Sequence, residues 1–379
     1  MFGKLFKKKN TPELEGEIVE NQEMIDQTEE EDTTDCAELI FINESEDEEF
    51  EDVELREDVY EMEKSTFRSH DEKTDVSYYV FTPIDKEPCA IIQLCHGMCE
   101  YILRYENLAR ELCRRGYIFC GNDHLGHGYT AESDEDLGFT AEGGGAAFMV
   151  QDAHKLTTII KKKYPDLPIV LIGHSMGSFI ARLYIAHYAS DITAAIISGT
   201  GGPESPAALG KKLAKIIMIK KGERQRSAFL DKLAFGGYNK KFKEDDSPNA
   251  WLSRDEEVQS KYSEDKFCNY KFTARGFYDL FDMLAAVSKK KWAEKVPADL
   301  PILIISGDMD PVGNYGKGVR KVYKRLADAG VEDVTLRLYV GGRHELFNEI
   351  NKEVVIRNTV EWIEEHLPGA EMRNESALG

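Results

Sequence analysis

Residues 173–177 read Gly173-His174-Ser175-Met176-Gly177, behind the apolar run Pro168-Ile169-Val170-Leu171-Ile172 and ahead of Ser178-Phe179-Ile180-Ala181-Arg182-Leu183-Tyr184-Ile185-Ala186. A G-x-S-x-G pentapeptide in that setting demands a short buried strand that turns sharply into a helix. Small residues two before and two after Ser175 let the chain fold back without a Cβ clash. The first turn of the following helix offers unpaired N–H groups and positive potential. Such a turn lifts a serine hydroxyl clear of the backbone. The same turn occurs in α/β proteins where the serine only caps the helix, so the two readings separate on whether an acid and a base follow at later strand ends.

From about residue 77 the chain alternates between short β-rich runs and longer amphipathic ones. The runs predict strands over 77–82, 90–94, 117–120, 168–172, 194–198, 301–306 and 335–340, and helices over 105–115, 146–163, 176–188, 275–289, 316–329 and 349–366. Strand-helix alternation of this kind means an α/β fold, a mostly parallel sheet covered by helices on both faces. Ligands on such sheets sit at the carboxyl ends of the strands, where Ser175 falls. The alternation breaks between about 201 and 273, a lysine-rich stretch without a clear strand, which predicts a cap inserted between a core strand and a core helix.

The net charge of −21 is concentrated. Residues 11–63 hold 24 Asp and Glu against the single Arg56, and residues 1–10 hold four lysines and no acid. Long like-charge blocks bury too little apolar surface to offset chain entropy, so 1–63 is expected as a disordered acidic extension, 64–367 as the folded domain and 368–379 as a flexible tail. Within the extension, Ala37-Glu38-Leu39-Ile40-Phe41-Ile42 is an apolar island, expected as a β-prone segment of a loose tail, with docking onto a partner or onto the protein's own body as the alternative. The start Met1-Phe2-Gly3-Lys4-Leu5-Phe6-Lys7-Lys8-Lys9 lacks the apolar core of a signal peptide. No stretch approaches the ~20 apolar residues of a membrane span. Seven cysteines make an odd number without paired metal-type spacing: Cys95 and Cys99 flank His96, but no second pair completes a zinc site. Reduced thiols, a cytoplasmic setting and no cofactor are expected.

A serine nucleophile needs a base in reach and an acid to orient it. His174 adjoins the serine, but neighbouring side chains at a strand end point to opposite sides, so it should pack. His344 lies just beyond the last strand, in Gly341-Gly342-Arg343-His344-Glu345, and is the expected base. The strand before it exits into Gly307-Asp308-Met309-Asp310-Pro311-Val312-Gly313, which offers two carboxylates. Asp310, stiffened by Pro311, is the preferred acid, and Asp308 is expected to cap the turn. An oxyanion needs two converging N–H donors. The amides of Met176 and Met98 are chosen, the second because His96-Gly97-Met98 lets backbone approach the serine.

The order Ser175, Asp310, His344, together with His96-Gly97-Met98-Cys99-Glu100, Asp123-His124-Leu125-Gly126-His127-Gly128 and Gly342-Arg343-His344-Glu345, resembles the α/β-hydrolase fold, specifically its monoacylglycerol lipase and lysophospholipase-like branch. The likeness spans about residues 64–367. It implies hydrolysis of carboxylic esters of single-chain lipids through an acyl-serine, with Ser175, Asp310 and His344 as the triad and Met98 and Met176 as oxyanion donors. The Asp123 to Gly128 loop is implied to be structural. Tyr101 departs from the branch, where a histidine is common after the glutamate, and the acidic extension is not a family feature. The same triad serves serine aminopeptidase-type peptidases and thioesterases, and a non-catalytic binding module is the reading from another class. The cap opens with Leu209, Leu213, Ile216, Ile217 and Ile219 among Lys211, Lys212, Lys215, Lys220 and Lys221. Lysines outward over an inward apolar face is the expectation, and a transient membrane-surface contact the alternative. An acyl ester or lipid is the expected partner and nucleic acid is not.

Overall fold

A computed structural model of the chain describes residues 39–42, 59–203 and 207–368. Its strands are β1 (Leu39–Ile42), β2 (Tyr60–Arg68), β3 (Asp75–Pro83), β4 (Ala90–Cys95), β5 (Tyr117–Asn122), β6 (Ile169–His174), β7 (Ala194–Ser198), β8 (Ile302–Gly307) and β9 (Val334–Tyr339). They form one sheet in the order β1-β9-β8-β7-β6-β4-β5-β3-β2. The six strands β4 to β9 pair in parallel with their neighbours, and β1 joins β9 in parallel. Only β3 against β5 and β2 against β3 are antiparallel.

The central strands are apolar at every position because both faces are covered. Ile91, Leu171, Ile302 and Ile304 enter one core, while their chain neighbours Ile92, Val170, Ile172, Leu303 and Ile305 enter the other. The first core is closed by α2 (Gly145–Lys163), α3 (Met176–Tyr188), α7 (Ala274–Val287) and α8 (Lys317–Asp328). The second is closed by α1 (Glu106–Arg114) and α9 (Lys352–His366), with Leu108, Leu112, Val355 and Trp362 pointing in. Each such side chain stabilises the fold by about 1.5–3 kcal/mol on burial. Between β7 and α7 lie the cap helices α4 (Ala207–Lys221), α5 (Ala228–Phe235) and α6 (Glu256–Glu264). Helix α4 packs on α7 so closely that a Cβ on Gly210 would meet the Phe281 ring at 3.0 Å.

The start of the folded part differs from the expected boundary at residue 64. The sheet takes in all of β2 from Tyr60, and the apolar island supplies β1, whose Ile42 carbonyl accepts the Val340 N–H at 3.2 Å. Strand β2 is mostly exposed and rich in charge, the character of an edge strand rather than a core one. Backbone pairing, not apolar periodicity, makes these two segments strands. The rest of the expected extension, residues 1–38 and 43–58, and residues 369–379 of the expected tail lie outside the described residues.

Candidate active site

Ser175 sits between β6 and α3 with φ 53° and ψ −119°, a left-handed backbone that a residue with a Cβ adopts only where its surroundings enforce it. The enforcement is packing by the two glycines. A Cβ on Gly173 would collide with the Gly177 carbonyl and come within 2.6 Å of Ala181 Cβ, and one on Gly177 would collide with the Cys95 carbonyl of β4. The Ser175 N–H donates to the Ser198 carbonyl at 3.0 Å, pinning the turn to β7.

His344 Nε2 lies 2.8 Å from Ser175 Oγ, and His344 Nδ1 lies 3.0 Å from Asp310 Oδ2. Three side chains far apart in sequence are thus brought together at the carboxyl ends of β6, β8 and β9. Asp310 is fully buried and its Oδ1 accepts the Val312 N–H at 2.8 Å, which fixes the carboxylate plane. Asp308 faces elsewhere, accepting the Gly341 N–H at 2.8 Å and so bracing the glycine turn before His344. Gly199, with φ 57°, supplies a flat wall for the imidazole: a Cβ there would stand 3.2 Å from both His344 Nδ1 and Cε1.

The loop after β4 closes over Ser175. A Cβ on Gly97 would lie 3.0 Å from Ser175 Cβ, so this backbone passes close to the serine side chain. Cys99 takes φ 54° to make that bend. Met176 opens α3, so its N–H has no partner within the helix. Among the described residues neither the Met98 nor the Met176 N–H is paired with a backbone carbonyl outside a helix or strand.

Beneath the loop runs a buried polar network that sequence reasoning left without a role. Glu100 Oε1 accepts from the Gly97 N–H and from the Tyr105 hydroxyl, at 2.9 Å for the latter, and faces His174 Nδ1 at 3.0 Å. His174 packs, as its strand position predicts, with Nε2 3.3 Å from the His344 carbonyl. Burial alone would raise Glu100, but His174 and Arg104 outweigh it and hold the carboxyl well below its usual range. Burial alone would lower His174, and Glu100 holds it above its usual value instead. Arg104 joins Glu100 to Glu345, the residue after His344. The i,i+4 spacing of Glu100 and Arg104 was the available signal, yet it is equally that of an exposed helical pair.

The cap also reaches the site. The Trp251 ring lies over His344 with centroids 5.0 Å apart, and the Glu345 N–H donates to the Leu252 carbonyl at 2.7 Å. Nothing in the aperiodic cap sequence singled out Trp251. Tyr101 turns to the cap, donating its hydroxyl to Asp265 Oδ2 at 2.8 Å and packing on Phe267. The Asp123 to Gly128 loop braces the site from below: Asp123 accepts the Ile102 and Tyr129 N–H groups, and the His124 N–H donates to His96 Nε2 at 2.9 Å. Among the described residues no group of three or more His, Cys, Asp and Glu is placed to hold a metal ion.

Residues 86–351 match the family described as Serine aminopeptidase, S33, a family of hydrolases. The chain belongs to this family. A monoacylglycerol lipase of Mycolicibacterium smegmatis is 29% identical over 295 residues, which cover 77% of this chain and 94% of the relative. A monoglyceride lipase of Rattus norvegicus is 26% identical over 69% of this chain and 78% of its own length. Among solved structures, a thermostable carboxyl esterase from Bacillus coagulans in complex with glycerol superposes with a TM-score of 0.76 at 31% identity, covering 80% of this chain and 98% of that one. The architecture is that of an α/β hydrolase, and the chain is a carboxylic ester hydrolase of the lipase-like branch of its family.

Proposed function

We propose that this family member hydrolyses monoacylglycerols, lysophospholipids or similar single-chain acyl esters through an acyl-serine, with Ser175 as nucleophile, His344 as general base and acid, and Asp310 as its orienting acid. The observation that carries this is the relay from Ser175 Oγ to His344 Nε2 at 2.8 Å and from His344 Nδ1 to Asp310 at 3.0 Å. Ser175 Oγ attacks the acyl carbon as His344 takes its proton, and Asp310 stabilises the imidazolium that forms. The Met98 and Met176 amides receive the oxyanion, each worth about 3 kcal/mol in the barrier. His344 then protonates the leaving alcohol, and a water repeats the sequence on the acyl-enzyme.

The curated relatives reported above are lipases, which favours esters over aminoacyl amides; the family description leaves aminopeptidase activity as an outcome to be measured. In this reading the catalytic domain takes in β1 and runs from β2 to residue 367, with 201–273 as its cap. A transient lipid-surface contact is supported by α4, where Leu209, Ile216 and Ile219 are exposed beside Lys212 and Lys220. No helix among the described residues is long and apolar enough to cross a membrane. A cytoplasmic setting is supported by cysteines that form no disulfide among those residues.

A fluorophosphonate probe should label the wild-type chain and not Ser175→Ala, and a panel of monoacylglycerols, lysophospholipids, acyl thioesters and aminoacyl amides should show turnover of the oxygen esters first. Labelling that survives Ser175→Ala, or preferential cleavage of amides, overturns the assignment.

A further inference from the structure

We propose that Arg104 is a positioning residue that locks the oxyanion loop and the histidine loop into one register, a role that rests on the reading of Ser175, Asp310 and His344 given above. Glu100 closes the loop that carries Met98, and its Oε1 holds the Gly97 N–H. Its other oxygen, Oε2, accepts from Arg104 Nη1 at 3.0 Å. The same guanidinium forks onto Glu345, with Nη1 2.9 Å from Oε1 and Nη2 2.8 Å from Oε2. Glu345 directly follows His344. One planar cation therefore spans from the loop that presents an oxyanion donor to the residue beside the base, without touching a reacting atom.

The surroundings make this tie stiff. Arg104 is 12% exposed, and Glu100 and Glu345 are 2% and 4% exposed, so water does not loosen the pairs. Glu345 is held at its backbone by the Leu252 carbonyl, and the Tyr262 ring of α6 lies under the Arg104 guanidinium at 4.9 Å. A guanidinium binds two carboxylates in fixed planes, which an ammonium does not. Without the fork, two buried carboxylates repel across the gap, and the separation of Met98 from His344 is no longer set.

The test uses the full chain with Arg104→Lys and Glu345→Gln, singly and together. Glu345→Gln keeps the shape of the side chain, so it reports even if Arg104→Lys folds poorly. The second-order rate of fluorophosphonate labelling at Ser175 is measured beside kcat and KM on a p-nitrophenyl ester and beside the melting temperature. Each single variant should slow labelling and kcat about 10- to 100-fold, the scale of a small misplacement of reacting groups, with KM within about threefold. The double variant should be no slower than the slower single, because both cut one tie. A lower melting temperature with unchanged rate per folded molecule, additive losses, or a loss borne by KM overturns the proposal. Labelling reads the reactivity of Ser175 whatever the natural substrate is, so a failure of the ester assignment shows up separately as absent ester turnover.

Discussion

Three buried histidines set the pH range over which this fold holds. His96 lies tilted against His124 with ring centroids 4.1 Å apart and meets His127 edge-to-face at 5.2 Å. Burial pushes His96 down to about 4 and His127 down to about 3 and holds His124 well below its usual value, with repulsion from His96 adding to it at His124 and His127. An unfolded chain protonates all three near ~6.5. Between ~6.5 and about 4 the unfolded state thus binds more protons than the folded one, so their contribution is complete above ~6.5 and is lost as pH falls. His174, held above its usual value, works in the opposite sense: its contribution is present below ~6.5 and is lost as pH rises through its folded value. Asp123, pushed up to about 6 by burial, and Asp152 and Asp279, also raised by burial, act in the same sense as His174 and offset part of what the three histidines lose. Urea unfolding should show a loss on the order of a few kcal/mol between pH 7 and pH 5. In His127→Asn the amide can still reach the Leu125 carbonyl that now faces His127 Nδ1 at 2.9 Å, so that variant should flatten the slope. Equal slopes for the two proteins would show that the cluster does not carry the acid lability.

The elements of this chain differ in how much they disclose beforehand. Helix α4 was expected to turn its apolar residues inward, and Leu213, Ile217 and Met218 do pack against the core. Ile219, however, is 76% exposed and Ile216 47%, because α4 buries Gly210 and Ala214 against its neighbours and leaves its opposite face unopposed. Under the lipid-surface contact proposed above, this face, rimmed by lysines, is the element that meets an anionic surface, through both its apolar area and its charge. Ile219→Asp should therefore weaken sedimentation with phosphatidylserine-containing vesicles several-fold and leave hydrolysis of a short-chain soluble ester within about twofold, since the substitution removes surface affinity and not the site. Equal sedimentation of the two proteins would remove the case for α4 as the contact. Strands β4 to β9 and helices α1 to α3 and α7 to α9 were legible because a buried parallel strand and an amphipathic helix impose strong, distinct periods. The positions of Ser175, Asp310 and His344 were legible for the same reason, since each stands at the end of such a strand. Arg104, Glu345 and Trp251 were not: charged residues at a helix start read as surface, and a cap held by side-chain contacts has no period.

At the scale of the molecule, the sheet is finished from outside the expected domain. Strand β1 covers the outer edge of β9, the strand that leads through Val340 to the loop of His344. An uncovered edge leaves a row of N–H and C=O groups open to another chain. Of the side chains described in β1, Phe41 is 53% exposed beneath the Arg320 guanidinium at 5.5 Å and Ile40 is 38% exposed, while Ile42 packs partly buried on the second core. Its contribution is therefore chiefly backbone pairing over four residues, each hydrogen bond worth about 1 kcal/mol. His344 has other anchors: Asp310 on its ring, the Trp251 carbonyl on its N–H, and Gly199 against its face. A chain beginning at residue 59 should thus keep kcat/KM on a soluble ester within about twofold. Its melting temperature should fall by roughly 2–8 °C, and size-exclusion chromatography should show self-association that grows with protein concentration. Unchanged melting with activity down more than about tenfold would mean instead that the residues before β2 act on the chemistry and not on the sheet edge.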